Sequence, residues 1–180
     1  MKPSQPKNEK RRLEVLWQYD VLDTPPESAF DDLAELAAEI CDAPIATITF
    51  VDEQRQWFKA KVGLDVSETP RDISFCAHAI LNSNLLVVPD ATKDKRFAKN
   101  PLVTGETHIR FYAGAPLITS EGVALGALCV IDKVPRELNP SQRHALEVLS
   151  RHVVTLLELR RRSLQPVQPI EERNLAEENY

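Results

Sequence analysis

The chain has 180 residues, enough for one domain of ordinary size that buries a sizeable core without disulfide or metal staples. Hydrophobic residues make up 43% and charged residues 27%, a globular balance, and the net charge of −5 argues against a nucleic-acid module, whose footprint is basic. No apolar run reaches the roughly 18 residues of a membrane span, so no membrane partner is expected.

In chain order, residues 1–12 are polar and basic and read as a flexible lead. No apolar segment follows MKPSQPKNEKRR, so it does not read as a signal peptide. Leu13, Leu16, Trp17 and Asp20 then recur at helical spacing up to the turn-prone DTPPE. Ser28 is a candidate N-cap for AFDDLAELAAEI, with Asp31 in the acidic first turn. Its apolar stripe is Phe30, Leu33, Leu36, Ala37 and Ile40.

The hydrophobic period then changes from about 3.6 to about two residues. IATITFVD reads as a strand, EQR as a tight turn and QWFKAKVG as the antiparallel return. In that return Trp57, Lys59 and Lys61 alternate with Phe58, Ala60 and Val62, predicting one wet face and one buried face. LDVSETPR is loop, and DISFCAHAIL is a helix with Asp72 or Ser74 as its N-cap. LLVVPD is a short strand. The long connection ATKDKRFAKNPLVTGETHI holds one helical turn around residues 94–98, and a loop of that length is usually functional.

RFYAGAPLI and VALGALCVID are two further strands joined by the hairpin TSEG. Asn139 caps the last helix, with Pro140 at its first position and Gln142 completing a capping box. Leu146, Leu149, Val153 and Leu156 form a seam along it. Pro166 and Pro169 end the helix, and residues 164–180 read as a disordered acidic tail. The order of elements predicts an α+β fold, a central antiparallel sheet with terminal helices on one face and the middle segments on the other.

These blocks are familiar together. RFYAGAPLITSEGVALGALCVID, PIATITFVDEQRQWFKAKVG, DISFCAHAIL and VVPDATKDKRFAKNPLV, in this succession, resemble a GAF domain, most of all the bacterial sensory type at the N-terminus of sensor histidine kinases and diguanylate cyclases. The resemblance covers residues 13–159, and the domain with its terminal helices is read as residues 13–163. The resemblance implies a sheet of five to six strands, a small-molecule pocket on one face, a helical bundle on the other and a role in signal transduction, as in two-component systems. The apolar seam left over on the last helix suggests a homodimer. The ligand is unidentified, and the output domain or kinase would act in trans. A fold alone names no ligand.

Cys76 and His78 stand two apart in a chain with three cysteines and four histidines. Zinc needs three or four converging ligands, and residues two apart on a helix face opposite ways, so metal is not expected. The cysteines Cys41, Cys76 and Cys129 form no CxxC pair and no even disulfide framework, pointing to a reducing cytoplasm. They also lack the cysteine-bearing blocks of the free methionine sulfoxide reductases, a redox branch of the resembled family. The segment around His108 has no cysteine where phytochrome-like members attach a bilin, so no covalent bilin is expected. Cys76 reads as pocket wall or core and His78 as the outer side of its helix.

The candidate ligand-binding residues are Phe50, Phe75, Cys76, Asp90, Arg110, Tyr112 and Cys129; no catalytic residue is assigned. Arg110, Tyr112 and Gly114 share one face of their strand, and Arg110 either contacts a ligand or pairs with Asp90 to close the loop. Gly114 and Gly126 leave room for a ligand or for another backbone. Leu16, Trp17, Leu149, Val153 and Leu156 are the candidate dimer interface. The expected function is a sensory domain whose ligand shifts the packing of paired terminal helices. The other readings are a ligand-free dimerisation scaffold, a redox enzyme using Cys76 and a bilin photosensor.

Overall fold

The change of hydrophobic period falls where helices give way to a sheet. The computed structural model describes residues 1–166. Helices α1 (Glu9–Gln18) and α2 (Ser28–Cys41) precede strands β1 (Ile45–Val51), β2 (Arg55–Val62) and β3 (Glu68–Pro70). A 3-10 turn at Arg71–Ile73 leads into α3 (Cys76–Ala79), β4 (Leu86–Val88) and α4 (Pro101–Thr104). Strands β5 (Phe111–Ile118) and β6 (Ala124–Asp132) and the helix α5 (Pro140–Leu164) follow. The strands form a six-stranded antiparallel sheet in the order β3-β2-β1-β6-β5-β4. The expected α+β architecture is what folds, and β3 and α4 add regular structure where the sequence reads as loop.

Alternation sorts the strands into two faces. Ala46, Ile48 and Phe50 of β1 join one core with Phe111, Ala113 and Leu117 of β5, and α1, α2 and α5 cover it. Thr47 and Thr49 point the other way, toward Cys129 and Cys76. Gly126 lets β6 run close to β1, because a side chain there would collide with the backbone of Thr49 and Phe50. Gly114 leaves space for the Tyr112 ring of its own strand. Both glycines thus make room for the protein itself.

Four expectations change. Residues 9–12 of the supposed flexible lead are helical, and Arg12 is only 1% exposed. Its guanidinium donates to both Glu9 carboxylate oxygens at 2.8 and 2.9 Å and to Val51 O at 2.7 Å, which is what lets a charge be buried. The buried side of α2 is Phe30, Ala34, Ala37, Ala38 and Cys41, while Leu36 and Ile40 are exposed. Small residues on that side let α2 lie close to the sheet and to α5. Glu27, not Ser28, holds the N-cap position of α2, without a side-chain cap bond.

In β2 the alternation breaks at Lys59, where a register shift opposite Ile48 and Thr49 leaves Lys59 without a partner on β1. Trp57 and Ala60 therefore both enter the helical core, and Lys59 is buried rather than wet. Its ammonium donates to Thr24 Oγ1 at 2.9 Å and Pro25 O at 2.7 Å, pairs with Glu27, and lies over the Phe30 ring. A buried lysine thus pins the link between α1 and α2.

The α5 capping box forms as read: Asn139 Oδ1 accepts from Gln142 N and Gln142 Oε1 from Asn139 N. The helix ends at Leu164, and Gln165 is extended as the residue before a proline prefers. Leu146, Leu149, Val153 and Leu157 are buried against their own chain. The tail expected over residues 164–180 lies outside the described residues from 167 onward, as does Pro169.

Candidate functional site

On the face away from the long helices a cavity of about 150 Å³ remains. Its floor is the sheet: Thr47 of β1, Tyr112 of β5, and Cys129 and Ile131 of β6. Phe75 and Cys76 from the start of α3 and Leu102 of α4 close it from above. Ser74 sets the start of α3, its Oγ accepting from Ala77 N at 3.0 Å and donating to Gln56 Oε1, another lining residue. Asn100 caps α4 by accepting from Leu102 N, and its amide reaches Ile73 O at 3.0 Å, tying the two covering segments together. The long loop adds Phe97, which stacks on Phe75 at 4.0 Å, and Phe75 in turn leans on Tyr112 at 5.1 Å.

Two thiols meet in this wall. Cys76 Sγ and Cys129 Sγ are 3.7 Å apart. Thr49 Oγ1 at 3.1 Å and the Tyr112 hydroxyl at 3.2 Å donate to Cys76 Sγ, while Thr47 Oγ1 lies 2.8 Å from Cys129 Sγ. The Cys129 thiol, the strongest influence, and the two hydroxyls pull Cys76 below the ordinary thiol range against the opposing effect of burial. Cys129 moves up, first because it is the partner that keeps its proton toward Cys76 and then through burial. Burial, followed by the neighbouring Cys76 and Cys129, raises Tyr112, so its phenol keeps its proton and can donate. Cys41 lies on the helical side, its thiol pushed up to about 11 by burial.

Of the candidates read from the sequence, the fold brings Phe75, Cys76, Tyr112 and Cys129 together around the cavity. Phe50 is corrected: it faces the helical core and stacks on Trp57. Asp90 is also corrected, being turned to its own loop, where its Oδ1 accepts from Thr92 N at 3.0 Å and Thr92 Oγ1 at 2.6 Å. Arg110 pairs with neither Asp90 nor the cavity. It donates to Val103 O at 2.9 Å and Ile109 O at 3.0 Å and meets His108 Nδ1, so it closes the loop through backbone carbonyls. His78 faces away from Cys76 as expected, but it is buried, because the loop folds over α3 and sets Phe97 against its ring at 4.7 Å.

Three of the five dimer candidates are corrected. Leu16, Leu149 and Val153 are spent inside their own chain, whereas Trp17 is 49% exposed and Leu156 is half-buried. The sequence reading missed Thr47, Thr49, Gln56 and Ile131 as cavity neighbours. The period-two pattern of β1 already held the signal for Thr47 and Thr49, polar residues on a strand buried on both faces. Among the described residues no group of three His, Cys, Asp or Glu side chains is placed to hold a metal ion, and no helix is long and apolar enough to cross a membrane.

A polar route leads away from the cavity. Gln56 Nε2 donates to Thr69 Oγ1 at 2.8 Å, and both residues line the cavity. Two residues on, Arg71 donates to Glu9 and, at 3.0 Å, to Asp52 O. Glu9 also holds Arg12, so a turn beside the cavity is tied to the first helix through buried charges. Burial alone would raise the Glu9 carboxyl, but hydrogen bonds and charge from Arg12 and Arg71 outweigh it and hold it below the usual range.

A model of the GAF domain family matches residues 25–157. A cyclic di-GMP phosphodiesterase of Pseudomonas aeruginosa is 48% identical over 134 residues, covering 74% of this chain and 23% of the relative. The chain thus spans less than a quarter of the length of that curated relative. The crystal structure of the GAF domain from an Acinetobacter phosphoenolpyruvate-protein phosphotransferase aligns with a TM-score of 0.64 at 16% identity, over 91% of this chain and 100% of that one. A free methionine-R-sulfoxide reductase from Neisseria meningitidis, solved with its substrate, aligns at 0.62 and 17% identity, over 89% and 96%. At these identities the two structures establish a shared fold.

Proposed function

The chain belongs to the GAF domain family, and from that premise we propose that it is a sensory or regulatory module that binds a small, largely apolar molecule and catalyses no reaction of its own. The observation that carries this reading is the cavity between the sheet and α3. At about 150 Å³ it is smaller than the roughly 300–1,000 Å³ of pockets for drug-sized ligands. A dry space of that size takes a guest on the order of benzene. Apolar walls supply the driving force, and Thr47, Gln56, Thr69 and Tyr112 supply the few polar contacts that would orient a guest.

Occupancy would act on the segment from β3 to α3, which closes the cavity and is tied through Arg71 and Glu9 to α1. A ligand biases such a segment only by binding one of its arrangements better than the other. The readout would pass to a signalling output; in the cyclic di-GMP phosphodiesterase relative the matched region makes up 23% of a longer chain. A homodimer remains part of the proposal. Its contacts shift to apolar residues the core leaves out, Trp17, Leu36, Ile40 and Leu159.

Native mass spectrometry on protein purified from cells that make it tests the reading. The wild type should retain a small added mass under gentle conditions, and Ile131→Trp, which fills the cavity, should lose it. A wild-type chain that carries no added mass and gains no thermal stability from small aromatic probes would sink the proposal.

A further inference from the structure

Cys76 and Cys129 bring two sulfurs together in the cavity wall. We propose that Cys76 and Cys129 are a site of reversible oxidation, closed to a disulfide by a small hydroperoxide that enters the cavity. The inference stands on the sulfur contact and requires no resident ligand.

The geometry supports it in three ways. The sulfurs are 3.7 Å apart, on α3 and β6, so one short approach makes the bond. Both side chains line a cavity large enough for a peroxide. The third cysteine, Cys41, sits in the opposite core and cannot compete. The hydroxyls act unequally: Thr49 and Tyr112 both donate to Cys76, whereas Cys129 shares Tyr112 with it and otherwise meets only Thr47, which can equally accept from the thiol. Hydrogen bonds from hydroxyls favour a thiolate, so Cys76 is the attacking sulfur and Cys129 the resolving one.

In the first step the Cys76 thiolate attacks a peroxide oxygen. A sulfur–oxygen bond forms and the oxygen–oxygen bond breaks. The departing alkoxide takes the Cys129 proton and leaves as an alcohol, or as water from hydrogen peroxide. In the second step the Cys129 thiolate attacks the Cys76 sulfenic sulfur. The sulfur–sulfur bond forms, and hydroxide leaves, taking up the proton that Cys76 had released. The two thiols together lose two electrons and the peroxide gains them. The bond would draw α3 against β6 and shrink the cavity between them, so oxidation would oppose any ligand.

The test treats the reduced full chain with one equivalent of hydrogen peroxide, blocks free thiols with iodoacetamide and maps the peptides by mass spectrometry. The expected product is a monomer lighter by about 2 Da, two hydrogens, before blocking. Its linked peptides should contain Cys76 and Cys129, Cys41 should be free for alkylation after unfolding, and dithiothreitol should restore the starting mass. In Cys129→Ser the reaction should stop at a sulfenic acid on Cys76 that dimedone traps. Three fully alkylated cysteines after peroxide, or a link that involves Cys41 or a second chain, would overturn the proposal on the wild type alone, whatever the variants do.

Discussion

On the helical face of the sheet, Ile48, Phe50, Leu128 and Val130 pack into one cluster with Ala34, Ala37, Leu146 and Val153. On the other face of the same strands, Thr47, Tyr112 and Cys129 meet a four-residue helix and a long loop, and a cavity is left. The alternation along β1 serves both faces equally well. The covers differ: α2 and the 25-residue α5 lay continuous side-chain stripes on the sheet, whereas α3 and α4 are single turns pinned by Ser74 and Asn100. Close packing needs a long complementary surface. Where the cover is short and held by hydrogen bonds, space survives, and the polar and thiol groups collect there.

That contrast can be broken most forcefully on the filled side. Phe50→Ala, emptying a fully buried position beside Trp57, should cost about 3–5 kcal/mol, read as a fall in the urea midpoint at unchanged slope. If Phe50→Ala costs no more than a substitution in the cavity wall, the two faces are not packed differently.

The link between the faces should come next. Glu9→Gln leaves Arg12 and Arg71 buried without their carboxylate and should cost up to about 3 kcal/mol at neutral pH. The sign of its pH dependence follows from the lowered carboxyl. The ionised form is favoured in the folded chain, so its contribution is complete above the ordinary carboxylate range. It is lost as pH falls through the lowered folded value. Urea midpoints of wild type and Glu9→Gln should therefore converge on acidification. A gap that stays constant would assign the effect to packing.

On the open face, Thr47→Val removes a hydroxyl beside Cys129 while keeping its shape, and stability should change by less than about 1 kcal/mol. Its effect belongs in binding: a guest oriented by that hydroxyl should bind more weakly, as titration calorimetry would show. Smallest of all, Leu36→Ala on the exposed side of α2 should leave monomer stability within about 0.5 kcal/mol. Sedimentation velocity then reports whether this side carries a dimer, since a weakened dimer at unchanged stability separates contact from core.

The sequence by itself determined the order of every element but β3 and α4, the sheet's two hairpins, the α5 capping box and the helical turn at residues 94–98, closed by Ala98 N to Asp94 O. Those features are set by neighbours along the chain: residue period, capping side chains and turn residues. It also named four residues of the cavity wall, through the GAF resemblance and the parity of β5. Tertiary structure decided the rest. Lys59 is buried because a register shift, invisible in a period-two pattern, turns it toward Thr24 and Glu27. Leu149 and Val153 read equally well as dimer seam or core until α2 presents small residues for them to pack with. Arg110 and Asp90 looked like partners, and each found a nearer one in its own loop. Cys76 and Cys129, far apart in sequence, meet only because α3 is laid across β6. Local periodicity fixes which face a side chain takes, but what covers that face depends on segments distant in the chain, and that decides whether it becomes core or cavity.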